Sequence, residues 1–565
     1  MNRAERRRLE KLRGRLGPPP DSFAVATLLD EAKSHHQAGR LQEAERVYRL
    51  VLQMSPEHPE ALHALGLVAY RVGKLDLASK LLDRAVQQHP NQPLYWFNFG
   101  VVLQRAGRAE EAISAYQRAI SAKPEYVEAL INMGNVHKEL GQLTQAEQAY
   151  RRALRVNPSY ADAYNNLGTV LKEQGLVGDA IQAYRQALTI KPGHVEAHNN
   201  LGLALMEQGE WDEAVAAFEQ AIRVQPDYVK ARYNLGIVSI WRGEFDRALS
   251  CLGASARAKH DHGCRVTETL ISKSRLKHDA EQIQYLFDRG LLGEAYAVYR
   301  DALKRLDQQA REDASTATCI RVDQRDMDLV APSFNRVLHR AACERLPGGA
   351  VNPDLDVEAI EARYNAARPE IIYIDDLLTN EALASLRRFC LESTIWKKEY
   401  ENGYLGTFLG DGFATPLLLQ IAEELRLKFP SIFKQHRLTQ AWAFKYDSQR
   451  RGLSVHADAA AVNVNFWITP DEANLDSETG GLVVWDKEAP RAWNFKEYNN
   501  DKNRQKIFDW LAGAGAKAVR IPYRANRAVV FNSDLFHQTD RFTFKDEYES
   551  RRINITLLYG HRHNA

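Results

Sequence analysis

The sequence has little that would tie it to an oxidising compartment, a membrane or nucleic acid. Its 565 residues include five cysteines, widely spaced and without a Cys-x-x-Cys pair, so no disulfide framework is indicated. No apolar run approaches the roughly 18 residues that a membrane span requires. The formal net charge is only +2, which argues against a general nucleic-acid binder. We therefore expect a cytoplasmic protein with neither a membrane nor a nucleic-acid partner.

The N-terminus also lacks the apolar segment of a secretory signal. Residues 1–15 contain seven Arg or Lys and two Glu, and we interpret residues 1–23 as a solvated basic tail. The alternative is an arm that touches nucleic acid or acidic protein. Since 565 residues exceed what one core usually serves, we expect two or more domains.

A fixed period of 34 residues runs from about residue 24 to residue 257. Three residue types recur at this step: glycines at 39, 73, 107, 141, 175, 209 and 243, alanines at 44, 78, 112, 146, 180, 214 and 248, and prolines at 56, 90, 124, 158, 192 and 226. A glycine between helices, a small residue in the second helix and a proline after it are typical of the tetratricopeptide repeat. The pattern predicts an all-α solenoid of seven repeats, whose first helices line a concave groove.

A second register places an asparagine in five successive repeats. The residues are Asn98, Asn132, Asn166, Asn200 and Asn234. Asparagine is a mediocre helix former, but its amide offers a donor and an acceptor that suit the backbone of an extended peptide. The ladder resembles the superhelix of O-GlcNAc transferase, where such asparagines hold substrate chains. We therefore expect a protein or peptide to bind in the groove. The alternative is that the asparagines recur only because one repeat unit was duplicated, and that they bind no ligand.

Residues 258–365 lose the period and are expected to form a helical cap and linker. Residues 280–306 keep a helix–Gly–helix pattern, which predicts a degenerate unit that closes the apolar end of the solenoid. Residues 345–353 are rich in turn formers and predict a linker.

From residue 366 to residue 565 the patterning becomes strand-like. A short apolar strand at 370–376 and an amphipathic helix at 377–390 come first. Beyond residue 440, strand-like runs separated by turns follow at 441–446, 462–468, 481–485, 528–532 and 553–559. Strands of this length predict a double-sheet jelly roll with flanking helices.

Three residues in this region have the chemistry of metal ligands. His456 and Asp458 are spaced i and i+2, which places both on one face of an extended strand, and His537 lies far along the chain. Two imidazoles and one carboxylate with open positions opposite form the facial triad of non-haem Fe(II) oxygenases. The His-x-Asp pair alone is a weak pattern, so its neighbouring motifs matter.

These motifs are His-Ala-Asp at 456–458, Thr-Gly-Gly-Leu at 479–482, the run from 530 into Phe536-His537, and RRINITLLYG at 551–560. In this order they resemble the 2-oxoglutarate- and Fe(II)-dependent oxygenases of the prolyl 4-hydroxylase type. The resemblance covers about residues 369–562, a third of the chain. It implies a double-stranded β-helix in which His456, Asp458 and His537 hold Fe(II), with 2-oxoglutarate as cosubstrate and O₂ as oxidant.

The family holds the distal carboxylate of 2-oxoglutarate with a basic residue on the strand after the second histidine. Bidentate pairing suits arginine to this role, and Arg551 and Arg552 compete for it. Arg552 shares a strand face with Asn554 and Thr556, and aligning this strand on that of the family places Arg552 inward. We expect Arg552 to anchor the cosubstrate.

Two further residues are candidates for the cosubstrate pocket. Tyr446 lies ten residues before His456, where the family often has a tyrosine beside the cosubstrate. Asn465 alternates with Asn463 and Trp467 on the following strand, and a buried amide requires partners. Ordinary core packing is the alternative for this strand.

The two halves together predict a dioxygenase that hydroxylates a protein or peptide side chain captured by the repeats. Halogenases of this fold have a small residue at the position of Asp458, so hydroxylation is favoured. A second enzyme hypothesis has a small molecule or glycan as substrate, with the repeats recruiting a partner. A third has a non-catalytic scaffold, which the complete triad disfavours. A JmjC-type or cupin assignment is disfavoured by the arginine after the last histidine.

Overall fold

The computed structural model describes residues 21–260, 270–400, 403–448, 454–490, 492–493, 498–499 and 501–560. The predicted basic tail lies almost entirely outside the described residues. The chain divides into two compact units, Met1–Val224 and Gln225–Ala565. No helix in the described part of the chain combines the length and the apolar character needed to cross a membrane.

The described part of the first unit consists of paired helices. Their bounds are α1 Asp21–Gln37, α2 Leu41–Met54, α3 Pro59–Arg71, α4 Leu75–Gln88, α5 Pro93–Arg105, α6 Ala109–Ala122, α7 Val127–Glu139, α8 Leu143–Val156, α9 Ala161–Glu173, α10 Val177–Ile190, α11 Val195–Gln208 and α12 Trp211–Val224. The periodic glycines lie between the helices of each pair at φ from +72° to +83°, where a side chain would be strained. The periodic alanines are 0% exposed. The predicted helical solenoid is therefore present, and for the predicted reasons.

A second row of glycines explains how closely the paired helices approach. These are Gly100, Gly134, Gly168 and Gly202, each facing an aromatic ring of the next helix: Tyr116, Tyr150, Tyr184 and Phe218 respectively. A Cβ added at these glycines would lie 2.5 to 2.7 Å from the ring carbons. Each aromatic ring therefore packs directly on backbone, and glycine is needed in mid-helix despite its low helix propensity.

The second unit begins with the last repeat and continues through a helical segment into a β-rich region. Its helices are α13 Val229–Arg242, α14 Phe245–His260, α15 Lys273–Asp288, α16 Ala297–Glu312, α17 Gln324–Val330, α18 Val357–Ala366, α19 Asn380–Glu392, α20 Pro416–Lys428, α21 Pro430–Phe433 and α22 Arg504–Gly513. Its strands are β1 Leu270–Ser272, β2 Cys319–Arg321, β3 Ile371–Ile374, β4 Lys398–Glu399, β5 Tyr404–Phe408, β6 Leu438–Tyr446, β7 Val462–Trp467, β8 Leu482–Glu488, β9 Ala518–Ile521, β10 Ala528–Asn532, β11 Leu535–Thr539 and β12 Ile553–Tyr559.

Ten of these strands form two antiparallel sheets. The larger sheet has the order β3-β10-β7-β12-β6-β5-β4, and the smaller has the order β11-β8-β9. Both contribute to one hydrophobic core, for example through Trp442 and Val529 on one side and Val484 and Ile521 on the other. The C-terminal region is thus β-rich with a large antiparallel sheet, and the jelly roll stays a prediction.

The helix α15 of the pair α15–α16 packs against the β-rich region. The predicted role of this pair in closing the end of the solenoid stays a prediction. The Gln282 Nε2 atom lies within hydrogen-bond distance of three acceptors: the carbonyl oxygens of Leu391 (3.1 Å) and Ser393 (3.0 Å) and the hydroxyl of Tyr548 (2.9 Å). The last repeat has its own contact with this region, since Trp241 Nε1 donates to the carbonyl of Leu438 at 2.8 Å.

Candidate metal and cosubstrate site

Backbone pairing brings the two candidate histidine ligands together. His456 lies in an extended segment before β7, and His537 lies on β11. Their backbones exchange two hydrogen bonds, from His456 N at 3.0 Å and from His537 N at 2.8 Å. The imidazole centroids are consequently 4.3 Å apart.

Asp458 completes a cluster with the geometry of a metal site. One ligand atom from each of His456, Asp458 and His537 lies within 4.8 Å of the others. The Nε2 atoms of His456 and His537 are 3.8 and 3.4 Å from the carboxylate oxygens of Asp458. The structure therefore brings all three predicted ligands to one point.

The tautomers of both imidazoles suit metal binding. Nδ1 of His456 lies 2.7 Å from the carbonyl of Ser454, and Nδ1 of His537 lies 3.1 Å from the carbonyl of Leu535. Because a carbonyl only accepts, each Nδ1 carries a hydrogen, which leaves Nε2 as the nitrogen that can bind a metal in the neutral imidazole. Two neutral imidazoles and one carboxylate are a donor set that suits Fe(II).

Asn463 on β7 orients the carboxylate, a role that the sequence did not assign to it. Its Nδ2 donates to Asp458 Oδ2 at 2.7 Å. Burial raises the pKa of the Asp458 carboxyl, but the hydrogen bond from His537, the charges of both histidines and the Asn463 amide outweigh burial and leave that pKa below its usual range. The carboxylate is thus ionised, as a ligand must be.

An insertion between β8 and β9 supports the ligands from behind. Val455, Ala457 and Phe536 flank the ligands in sequence and therefore face away from the cluster. They pack with Ile507 and Leu511 of α22 in a single hydrophobic cluster. Patterning beyond residue 440 predicted only strands, and this short helix was missed.

Arg552 is a buried cation without a carboxylate partner among the described residues. It is 1% exposed. Its Nε and Nη2 donate to the carbonyls of Gly480 (2.7 Å) and Gly481 (3.3 Å), while Nη1 has no partner. Burial lowers the pKa of the guanidinium. A buried charge held only by neutral groups is costly, so this position is suited to an anionic ligand.

The neighbouring Arg551 is excluded from that role. It is 4% exposed, and its Nε and Nη2 lie 2.8 and 2.6 Å from Glu281 Oε2 on α15. Its charge is already neutralised on the outer side of β12, so it is not available to bind a ligand.

Tyr446 lies against Arg552. The backbone N of Tyr446 donates to the carbonyl of Arg552 at 3.0 Å, and the guanidinium lies 4.8 Å from the centre of the tyrosine ring. The Tyr446 hydroxyl is 3.4 Å from Thr539 Oγ1 on β11, two residues beyond His537. The tyrosine therefore lies beside Arg552, the candidate cosubstrate anchor, and its contact with a cosubstrate stays a prediction.

Asn465 belongs to a buried polar wall on β7 and β12. In the antiparallel pairing of β7 with β12, Asn465 lies opposite Thr556 and Trp467 lies opposite Asn554. Asn465 Nδ2 donates to Thr556 Oγ1 at 3.2 Å. Several polar atoms of this wall have no partner: Oδ1 of Asn463, Asn465 and Asn554, and Nε1 of Trp467. Buried polar atoms are normally satisfied, so this group, together with Arg552 Nη1, marks a place for a polar ligand. Strand alternation was the signal for the wall, although Asn554 was not singled out as a ligand contact.

The predicted asparagine ladder lies on the first helices of the repeats. Asn98, Asn132, Asn166 and Asn200 belong to the first unit and Asn234 to the second, and all five are half-buried. Some of these amides connect successive repeats. Asn166 Nδ2 donates to Asn135 Oδ1 (3.1 Å) and Asn200 Nδ2 to Asn165 Oδ1 (3.0 Å), while Asn98 Nδ2 lies 2.8 Å from His63 Nε2. The ladder therefore has an architectural role that the sequence did not reveal.

Two family models match the N-terminal helices. One, described as tetratricopeptide repeat, matches residues 29–93, 63–127 and 131–195, and the other, described as TPR repeat, matches residues 202–238. The N-terminal array consists of tetratricopeptide repeats. Such repeats generally bind peptide or protein partners.

Several solved structures are similar to part of the chain. A MamA protein is 27% identical over 31% of this chain and 96% of that chain, with a TM-score of 0.29. YrrB, described as a TPR protein with an unusual peptide-binding site, is 23% identical over 33% of this chain and 95% of that chain, with a TM-score of 0.29. PilF of Pseudomonas aeruginosa is 19% identical over 38% and 96% of the two chains, with a TM-score of 0.34. No curated protein matches the chain.

Proposed function

We propose that the chain is a 2-oxoglutarate- and Fe(II)-dependent dioxygenase that hydroxylates a C–H bond on a protein or peptide bound by its repeats. The observation that carries the proposal is the convergence of His456, Asp458 and His537 within 4.8 Å. The partnerless Nη1 of Arg552 supports 2-oxoglutarate as the cosubstrate. The fold that accompanies this proposal is the double-stranded β-helix.

Different residues of the site would bind the metal and the cosubstrate. His456, Asp458 and His537 would hold the metal, with their orientation fixed by two backbone carbonyls and by Asn463. Arg552 would bind the distal carboxylate of 2-oxoglutarate through Nη1, and Tyr446 covers one face of the guanidinium. Fe(II) with 2-oxoglutarate supplies the oxidation, in which O₂ is consumed, succinate and CO₂ are released and one oxygen atom enters the substrate C–H bond.

Enclosure is the second contribution of the protein. Asp458, His537 and Arg552 are each at most 5% exposed, and strands β7, β11 and β12 supply part of the wall around them. A site shielded from water strengthens charge pairing with a bound dicarboxylate and limits side reactions. His537 lies on β11, and its backbone pairing with His456 holds both histidines in place before the metal binds.

The repeats support a protein or peptide as the substrate. Each asparagine of the ladder is half-exposed, and the amides of Asn166 and Asn200 donate to the preceding repeat. A row of amides at a constant spacing suits an extended backbone of variable sequence. The alternative substrate is a small molecule or glycan, with the repeats recruiting a partner.

The test is succinate formation from 2-oxoglutarate by the full-length protein with Fe(II) and O₂. We expect slow turnover without substrate, abolished by His456→Ala. An Asn132→Ala/Asn166→Ala variant should keep this basal turnover and lose hydroxylation of proteins. A small-molecule enzyme would hydroxylate no protein in either the wild type or the variant. Absence of turnover together with absence of 2-oxoglutarate binding would instead establish the non-catalytic repeat scaffold.

A further inference from the structure

Two residues of α15, one helical turn apart, reach two neighbouring strands of the large sheet. Lys277 Nζ lies 2.8 Å from Asp447 Oδ1, directly after β6. Glu281 Oε2 lies 2.6 Å from Nη2 of Arg551, which is two residues before the first residue of β12. Because residues at i and i+4 share a helix face, one face of α15 contacts both strand ends.

We call these two ion pairs, Lys277–Asp447 and Glu281–Arg551, the tethers of α15. In each tether, the residue at the strand end is adjacent in sequence to a residue of the candidate cosubstrate site. Asp447 follows Tyr446, and Arg551 precedes Arg552. Successive side chains of an extended chain point to opposite sides, so Asp447 and Arg551 face α15 while Tyr446 and Arg552 face the interior. The backbone hydrogen bond from Tyr446 to Arg552, 3.0 Å long, joins the two interior residues.

The tethers form a connected and largely buried network. Arg551 Nη1 also lies 3.7 Å from Asp447 Oδ1, which links the two ion pairs. The Arg551 and Asp447 side chains are only 5% and 12% exposed. Charge pairs shielded from water are stronger and more geometrically exacting than surface pairs. The Gln282 amide anchors the same helix through its contacts with Leu391, Ser393 and Tyr548.

We propose that α15, which lies between the repeats and the β-rich region in sequence, positions the cosubstrate site. Glu281 is a positioning residue for Arg552 and acts through Arg551, while Lys277 performs the same task for Tyr446 through Asp447. The inference rests on the proposed function and adds residues from outside the oxygenase-like region. Loss of the Glu281 tether leaves Arg551 buried without its closest anion, so the start of β12 shifts and Arg552 moves with it.

The test is the binding of 2-oxoglutarate and of Fe(II), measured separately by anaerobic calorimetry on the full-length protein. Glu281→Gln should weaken 2-oxoglutarate binding about tenfold, since a displaced charged partner forfeits part of its interaction. Fe(II) affinity should be unchanged, and the KM for 2-oxoglutarate should rise while kcat changes little. Glu281→Asp should recover part of the affinity. Arg305→Gln is the matched control, because Arg305 pairs with Asp326 within the same helical segment at 2.9 Å and not with a strand.

A double variant separates positioning from general stability. If Glu281 acts through Arg551, then Glu281→Gln combined with Arg551→Gln should bind 2-oxoglutarate no more weakly than Arg551→Gln alone. If Glu281→Gln binds 2-oxoglutarate with wild-type affinity, or loses Fe(II) and 2-oxoglutarate binding equally, the inference is overturned. Either result would leave the proposed function standing. If Glu281→Gln does not fold, the same binding measurement on Lys277→Gln tests the inference. Unchanged 2-oxoglutarate affinity in Lys277→Gln would count against it. A wild-type protein that binds Fe(II) but no 2-oxoglutarate would overturn the proposed function as well.

Discussion

Arg551 and Arg552 are neighbours in the chain but lie in opposite electrostatic environments. Arg551 is paired with Glu281 at 2.6 Å. Arg552 instead donates to the carbonyl oxygens of Gly480 and Gly481, lies against the Tyr446 ring, and keeps Nη1 without a hydrogen-bond partner. The difference follows from strand alternation, which sends the two side chains to opposite sides. A buried guanidinium with a partnerless nitrogen favours an anion, and under the proposed function a carboxylate of 2-oxoglutarate would be that anion.

Substitution of Arg552 should separate cosubstrate binding from metal binding. We expect Arg552→Gln to weaken 2-oxoglutarate binding about a hundredfold, since loss of one partner of a buried charge pair costs on the order of 3 kcal/mol. Arg552→Lys should lose less, because it keeps the charge without the planar fork. Calorimetry with 2-oxoglutarate under anaerobic Fe(II) measures both. Arg524→Gln, at a partly exposed pair with Asp375, is the control, and equal affinities in Arg552→Gln and the control would refute the assignment.

Asn463 should matter for the metal rather than for the cosubstrate. Its amide holds Asp458 Oδ2 at 2.7 Å, and loss of such a partner typically lowers metal affinity about tenfold or more. Asn463→Ala should therefore weaken Fe(II) binding by about that factor, while His456→Ala should abolish specific binding. Anaerobic competition with a chelating dye measures the affinity. Fe(II) affinity in Asn463→Ala equal to that of the wild type would show that Asn463 has only a packing role.

The sequence was most informative where structure depends on neighbouring residues. The 34-residue period predicts the helix pairs, because the turn glycines and the small alanine act within one repeat. Strand alternation likewise places Arg552 beside Asn554 and Thr556, where the structure has it. The Arg551–Glu281 pair joins residues 270 positions apart, and no local pattern signals such a contact.

The strands that the sequence did not predict show the same limit. β9 is mostly exposed, so it lacks the apolar alternation by which strands are recognised. β11 carries His537, yet its five residues were interpreted only as a motif. The asparagine ladder is a different case, since its phase was visible but its bonds to the preceding repeat depend on how the repeats stack.

His278 on α15 should make the stability of the second unit depend on pH. It is 1% exposed, and burial lowers its pKa to about 3, against the raising effect of Asp279 and with the lowering effects of Lys445 and Arg551. Below pH 6.5 the unfolded chain binds a proton at this histidine that the folded protein does not bind until about pH 3. The free energy of unfolding therefore decreases as the pH falls from 6.5 toward 3. At pH 5 the decrease due to His278 is about 2 kcal/mol.

Urea unfolding at pH 7 and at pH 5 tests this dependence. His278→Gln should reduce the difference in free energy of unfolding between the two pH values by about 2 kcal/mol relative to the wild type. His89→Gln, at an exposed histidine, should leave the difference unchanged. A His278→Gln variant with the pH dependence of the wild type would show that other groups are responsible.

The mid-helix glycines should tolerate a methyl group poorly, in contrast to an exposed glycine of the same repeat. A Cβ at Gly168 would lie 2.7 Å from Tyr184 Cε1, and the tyrosine is 1% exposed, so the ring has little room to move. Gly168→Ala should destabilise the protein by about 1–2 kcal/mol, since overpacking outweighs the gain in helix propensity.

Gly178 provides the matched comparison, because it is exposed on α10 and a Cβ there would come no closer than 3.7 Å to Gln208 Nε2. Gly178→Ala should therefore stabilise by about 0.5 kcal/mol. Thermal unfolding followed by circular dichroism measures both changes. Equal melting temperatures for the two variants would mean that the repeats relax around the added methyl, and that the glycine row does not set the distance between the paired helices.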